Sequence, residues 1–195
     1  MIITMLTPLA IEKTLWSREG KINRVAYAAE IYEDGEFVCS GEVVFKDGKP
    51  VGVITAKHCI LPNSEYRVEY LEDKEIHLKS EDFQCLVSDI VFAPIKQGWK
   101  PEYRSVDNVR SGSVDIYHTV LGKTVKVKGD ILFIGKVGDL RIAPMLYWLD
   151  PEDKIMLVKA ISFPGVSGSP VYFKGKRVGL VSGGGQGMTI VVLGK

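Results

Sequence analysis

Residues 25–56 read VAYAAEIYEDGEFVCSGEVVFKDGKPVGVITA. Three runs rich in β-branched and aromatic residues, 25–32, 36–45 and 50–56, are joined by Asp34-Gly35 and Asp47-Gly48. An Asp-Gly pair between such runs signals a hairpin, because the two-residue turn that matches strand twist needs φ > 0 and Gly accepts it without steric cost. The stretch predicts three antiparallel strands in a meander. Outward from it, runs of the same kind follow at 65–71, 75–79, 85–95, 113–121, 124–137, 154–161, 169–175 and 177–184. Helical spacing of apolar residues over ten or more positions is found only around 7–17. The segment 96–112, KQGWKPEYRSVDNVRSG, breaks the rhythm with polar residues, Pro101 and two glycines, and reads as a linker. It divides the chain into 1–97 and 98–195. Short strands on both sides predict an all-β protein of two antiparallel, six-stranded-type β-barrels.

Composition narrows the function classes. The chain has 195 residues, 46% hydrophobic, with Lys+Arg 25 against Asp+Glu 24. It is too apolar for disorder and too charge-balanced for a module that grips nucleic acid by its electrostatic footprint, so no nucleic-acid partner is expected. No run approaches the ~20 apolar residues of a membrane helix, so no membrane span is expected. Three cysteines are too few for a disulfide-dense scaffold. The opening MIITMLTPLA lacks a basic start, and Pro8 and Glu12 interrupt its apolar run. A secretory signal is not expected, which favours an intracellular location.

Three short segments contain residue types that carry chemistry. Ile54-Thr55-Ala56-Lys57-His58-Cys59 places a histidine just past an apolar strand. Taken alone, it reads as a surface or capping histidine; as a functional group it would be a general base, since imidazole titrates near neutral pH. Gly165-Val166-Ser167-Gly168-Ser169-Pro170 reads alone as a loop before the strand Val171-Tyr172-Phe173. Glycines around a serine also let the backbone turn tightly and aim two N–H groups at one point. The segment leads into a strand rather than a helix, which disfavours an α/β-hydrolase elbow. Asp89, beside Ser88 and entering the run Ile90-Val91-Phe92, is a strand-edge acid unless it is buried, where it would need a partner.

In the order His58, Asp89, Ser167, these segments resemble the chymotrypsin-like (trypsin-fold) serine proteases. Thr55-Ala56-Lys57-His58-Cys59 is similar to that family's T-A-x-H-C, Asp89-Ile90-Val91 to its D-I-A, and Gly165-Val166-Ser167-Gly168-Ser169-Pro170 to its G-D-S-G-G-P. The likeness covers about 36–185, and its compact spacing resembles HtrA-type and small viral or bacterial members. The short remainder is expected to hold no PDZ domain.

The resemblance implies a serine endopeptidase acting on protein or peptide substrates without a cofactor. Ser167 would be the nucleophile, His58 the base and Asp89 its orienting acid, with the N–H groups of Gly165 and Ser167 as oxyanion hole. It also implies a disulfide between Cys39 and Cys59 bracketing the histidine, leaving Cys85 as a small buried hydrophobe. Val166 replaces the acid that would pair with a freshly cut N-terminus, so activation of that kind is not expected. Ser169 replaces a glycine, small for small. Ile161 stands where enzymes cutting after basic residues carry Asp, so a pocket walled by Ile161, Ser182, Gly183 and Gly184 favours an apolar P1 residue; the glycines read equally as a flexible turn. His77 and His118 lack Cys or His at ligand spacing, so they read as ordinary strand residues and no metal is expected. The rival reading is a protease-fold binding or structural protein without turnover. The oligomeric state is left open by the sequence.

Overall fold

The two Asp-Gly turns form as the sequence dictates. Asp34, Gly35, Asp47 and Gly48 all have positive φ, closing registers at Glu33↔Glu36 and Lys46↔Lys49. In this computed structural model, residues 16–17, 20–71, 73–120 and 122–195 are described. The expectation for 1–10 lies outside them, as does the helical spacing at 7–17 except for its last two residues, Trp16–Ser17, which are strand.

The described residues form fifteen strands in order: β1 (Trp16–Ser17), β2 (Lys21–Asn23), β3 (Ala26–Glu33), β4 (Glu36–Lys46), β5 (Lys49–Ala56), β6 (Glu65–Tyr70), β7 (Glu75–Lys79), β8 (Gln84–Val87), β9 (Ile90–Pro94), β10 (Ser113–Val120), β11 (Lys123–Lys136), β12 (Lys154–Lys159), β13 (Pro170–Phe173), β14 (Lys176–Gly185) and β15 (Met188–Leu193). The first half forms a curled sheet in the order β7-β6-β3-β4-β5-β9-β8, with β2 paired to β3. The second half runs β11-β10-β13-β14-β15-β12 and closes through β11–β12 into a six-stranded barrel, with β1 added to β11. The protein is all-β with a double-barrel architecture. Only its second barrel closes by a complete ring of strand pairs among the described residues.

Two expectations change. The run 85–95 is broken: Ser88 turns at φ +51° and the chain folds back as β8 and β9, pairing Val87 with Ile90. The segment 96–112 is packed rather than loose. Val106 is 1% exposed, Tyr103 is buried, and the Arg104 N–H donates to the Arg177 carbonyl at 2.8 Å.

The halves are joined by a polar clamp. Glu42 of β4, 1% exposed, accepts from Arg177 Nε and Nη2 of β14, both at 2.7 Å, and from the Tyr172 hydroxyl of β13. Arg177 Nη1 also donates to the Glu102 carbonyl at 3.1 Å. A buried carboxylate is tolerated when its charge is met in this bidentate way. Burial first, then the Glu42 charge, push the Tyr172 hydroxyl well above its ordinary range, so it remains a donor.

Candidate active site

Pairing of β5 with β9 sets Ala56 opposite Ile90 and so brings residues 57 and 89 together. The Lys57 N–H donates to the Asp89 carbonyl at 2.8 Å. The chain then makes a 3-10 turn over Lys57–Cys59 that swings His58 onto the Asp89 carboxylate. The His58 N–H donates to Oδ1 at 2.9 Å, and His58 Nδ1 lies 2.7 Å from Oδ2. Because a carboxylate only accepts, Nδ1 carries the hydrogen and the neutral ring presents the lone pair of Nε2. Asp89 is 4% exposed, whereas about a third of the His58 side chain (34%) faces solvent. The carboxylate is sheltered and the imidazole is accessible.

Ser182 and Trp148 complete this cluster. Ser182 Oγ donates to Asp89 Oδ2 at 2.6 Å and accepts from Trp148 Nε1 at 2.9 Å. Asp89 thus receives three hydrogen bonds, which compensates the cost of burying it. Ser182, expected as a pocket wall, is turned toward Asp89 and is 2% exposed.

The Ser167 loop lies between β12 and β13 and is clasped by the first half. The Ser40 N–H donates to the Ser167 carbonyl at 2.9 Å, and Ser40 Oγ donates to the Gly165 carbonyl at 2.8 Å. Gly165 and Gly168 both adopt φ +88°. A Cβ on Gly168 would stand 2.0 Å from the Ser40 carbonyl oxygen, so only glycine allows this approach. Ser40 follows Cys39, which is bonded to Cys59 with Cα atoms 6.2 Å apart, and Cys59 follows His58. One covalent and two hydrogen-bonded links therefore tether the serine loop to the histidine turn. Among the described residues, the Ser167 hydroxyl has no hydrogen-bond partner, His58 included, and neither do the N–H groups of Gly165 and Ser167.

The remaining residues singled out in the sequence differ widely in burial. The Ile161 side chain, expected to wall a substrate pocket, is 69% exposed. Cys85 is exposed rather than buried, because it lies on the edge strand β8. His77 is an exposed strand residue paired with Glu75 at 2.9 Å. His118 is more than that: fully buried, it holds Ser169 Oγ at 3.0 Å through Nδ1 and meets Phe163 edge to face. Burial pushes its pKa down to about 4, against the opposing influence of the Ile161 backbone. The hydroxyl of Ser169, read as a small-for-small exchange, is thus a specific contact beneath the Ser167 loop. Cys39, Cys59 and His58 place potential metal donors within 4.8 Å of one another, but the two sulfurs are consumed by their own bond.

No family model and no curated protein matches the chain. Solved structures do. The protease Rv3671c from M. tuberculosis, in an inactive form, superposes with a TM-score of 0.61 at 18% identity, covering 85% of this chain and 80% of that one. A human pathogenic astrovirus serine protease gives a TM-score of 0.57 at 15% identity over 85% and 88% of the two chains. The HtrA-type protease AlgW with a tripeptide gives 0.59 at 19% identity, covering 85% of this chain but 56% of that one. With one curled and one closed barrel in this order, the chain has the fold of the trypsin-like serine proteases.

Proposed function

We propose that the protein is a serine endopeptidase built from two halves, 1–97 and 98–195, with the reaction in the cleft between them. The observation that carries this reading is the His58 ring, oriented by a buried Asp89 and tethered through Cys59, Cys39 and Ser40 to the Ser167 loop. Ser167 Oγ attacks the scissile carbonyl carbon, forming a C–O bond, as its proton passes to His58 Nε2. Asp89 stabilises the imidazolium without taking the proton. The unengaged N–H groups of Gly165 and Ser167 receive the oxyanion. Collapse breaks the C–N bond, and the amine leaves with the proton from His58. Water, deprotonated by His58, then cleaves the acyl ester and restores Ser167.

The substrate is a polypeptide, in keeping with the tripeptide held by the AlgW neighbour. An apolar P1 residue is favoured, since Ile161 stands where an acid would select a basic one. Fluorophosphonate labelling followed by peptide mapping tests the reading: label on Ser167, lost in Ser167→Ala, supports it. A folded protein that neither takes the label nor cuts peptides is a binding protein on this fold.

A further inference from the structure

Trp148 lies in the connection between β11 and β12 and reaches across to the His58–Asp89 pair. Its Nε1 donates to Ser182 Oγ, and its ring centre is 6.4 Å from that of His58 with the planes at 58°. Gly183 makes room for the indole, since a Cβ there would stand 3.1 Å from its Cζ2. The ring is therefore held at Nε1 by a hydrogen bond and packs by Cζ2 and Cη2 against Gly183. Beyond it opens a recess of about 360 Å³ lined by Ile142, Met145, Leu157 and Met188, with Gln186 as its single polar side chain. No charge lines it. At the recess Met145 is 72% exposed, and Tyr147, packed against Trp148, is 88% exposed, leaving large apolar surface in water.

The backbone beside the recess is also unfinished. β14 pairs with β13 only as far as Leu180, and from Ser182 onward its sole strand partner among the described residues is β15. Its other edge, carrying Gly184 and Gly185 along the recess, is open to an extended chain. Strand addition supplies main-chain hydrogen bonds, while side-chain pockets supply selectivity.

We propose that the Trp148 recess binds one apolar side chain of the polypeptide substrate, and that Trp148 sets this preference. The inference rests on the endopeptidase reading. The recess meets His58 only through Trp148, whose ring centre lies 6.4 Å from the imidazole, so at ~3.3 Å per extended residue it takes a residue about two to four positions from the bond that is cut. Its shape and uncharged lining suit Leu, Met, Phe or Trp, and exclude Asp, Glu, Lys and Arg by the cost of desolvating a charge.

The test is cleavage of a peptide library of balanced composition, read by mass spectrometry, by the parent protein and by Trp148→Ala, Trp148→Phe and Met188→Glu. The parent enriches large apolar residues over Gly and Asp by about tenfold or more at one fixed position away from the cut. Trp148→Ala lowers the enrichment below ~2-fold, as expected when the wall of an apolar site is removed. Trp148→Phe retains most of it, and Met188→Glu shifts it toward Lys and Arg. If Trp148→Ala fails to fold, as judged by thermal unfolding, the other two variants decide. Cleavage without such enrichment, or enrichment that Trp148→Ala and Met188→Glu both leave intact, overturns the inference and spares the endopeptidase. A parent protein that neither cleaves the library nor takes a fluorophosphonate on Ser167 overturns both.

Discussion

The two arms of the site are prepared very differently. On the first, the Asp89 carboxylate receives three hydrogen bonds, and His58 is fixed through both its N–H and its ring. On the second, the Ser167 loop is bound by its carbonyls while the Ser167 hydroxyl and the two N–H groups beside it have no partner among the described residues. The difference is physically sensible. On the endopeptidase reading, His58 is useful as a base only in one tautomer and orientation, which its bonds to Asp89 set. Donors meant for an oxyanion are useful only while nothing else occupies them. The hydrogen bond between nucleophile and base is commonly long without substrate and tightens when one binds.

The largest effect should come from the prepared arm. Asp89→Asn can donate where Asp only accepts, so it favours the His58 tautomer with hydrogen on Nε2, which cannot take the serine proton. In the comparable exchange in a related triad the turnover loss is roughly 10⁴-fold. We expect a loss of that order in peptide turnover, with thermal unfolding showing a folded protein. An Asp89→Asn enzyme within about tenfold of the parent would show that orientation of His58 by Asp89 is not what limits the chemistry.

Next in size is the tether between the arms. Closing the 20-residue separation between Cys39 and Cys59 is worth about 3 kcal/mol in the chain-entropy model. Reduction should lower the unfolding midpoint and slow fluorophosphonate labelling, because the histidine turn is freed from strand β4. Thiol titration checks the pairing: one thiol in the denatured, unreduced protein, and the same one, Cys85, reacting while folded because it is exposed. Three thiols in the denatured protein would remove the tether.

A third effect reads the support beneath the serine loop. His118 has a pKa of about 4 in the folded protein against an ordinary 6.5. Below pH 6.5 the unfolded chain gains a proton that the folded chain refuses. The stability contribution is complete above pH 6.5, declines as pH falls, and is gone near pH 4. The shift corresponds to roughly 3 kcal/mol across that window. Urea unfolding at a series of pH values should show this slope in the parent and lose it in His118→Gln, which offers Ser169 a polar partner without titrating. An equal slope in both proteins would assign the acid sensitivity to other groups.

Which parts of this were legible in the sequence follows from the range of the interactions. Hairpins set by two adjacent residues, such as Asp34-Gly35 and Asp47-Gly48, were readable because their cause is local. β15 is hard to separate in the sequence although Thr189-Ile190-Val191-Val192-Leu193 is a largely β-branched run, since four glycines at 183–187, interrupted only by Gln186, blur its start. The turn at Ser88 was hidden inside an apolar run because a non-glycine residue adopts the positive φ there. His58 and Asp89, each marked by a short local motif, are in contact. The supporting contacts have no local pattern to reveal them: Ser182 reaches Asp89 across 93 residues, Trp148 reaches Ser182 across 34, and Ser40 reaches Gly165 across 125. The same holds for His118, whose burial depends on strands that come together only in the fold.

The smallest effect tests the least prepared arm through Ser40. Its side chain spends its one hydrogen on the Gly165 carbonyl, while its backbone N–H holds the Ser167 carbonyl. Holding the Gly165 carbonyl on β4 restricts the orientation of that residue, whose own N–H is a proposed oxyanion donor. Ser40→Ala keeps the backbone bond and loses only the side-chain one. A neutral hydrogen bond of this kind is worth about 1 kcal/mol net, so stability should fall by that amount. If the bond also positions the donor, kcat should fall about fivefold with KM nearly unchanged, because an oxyanion contact is made in the transition state and not in the bound substrate. Ser40→Thr, which keeps the hydroxyl, should recover most of the kcat. A stability loss with kcat intact would mean that Ser40 merely fastens the loop to β4, and that Gly165 finds its orientation without it.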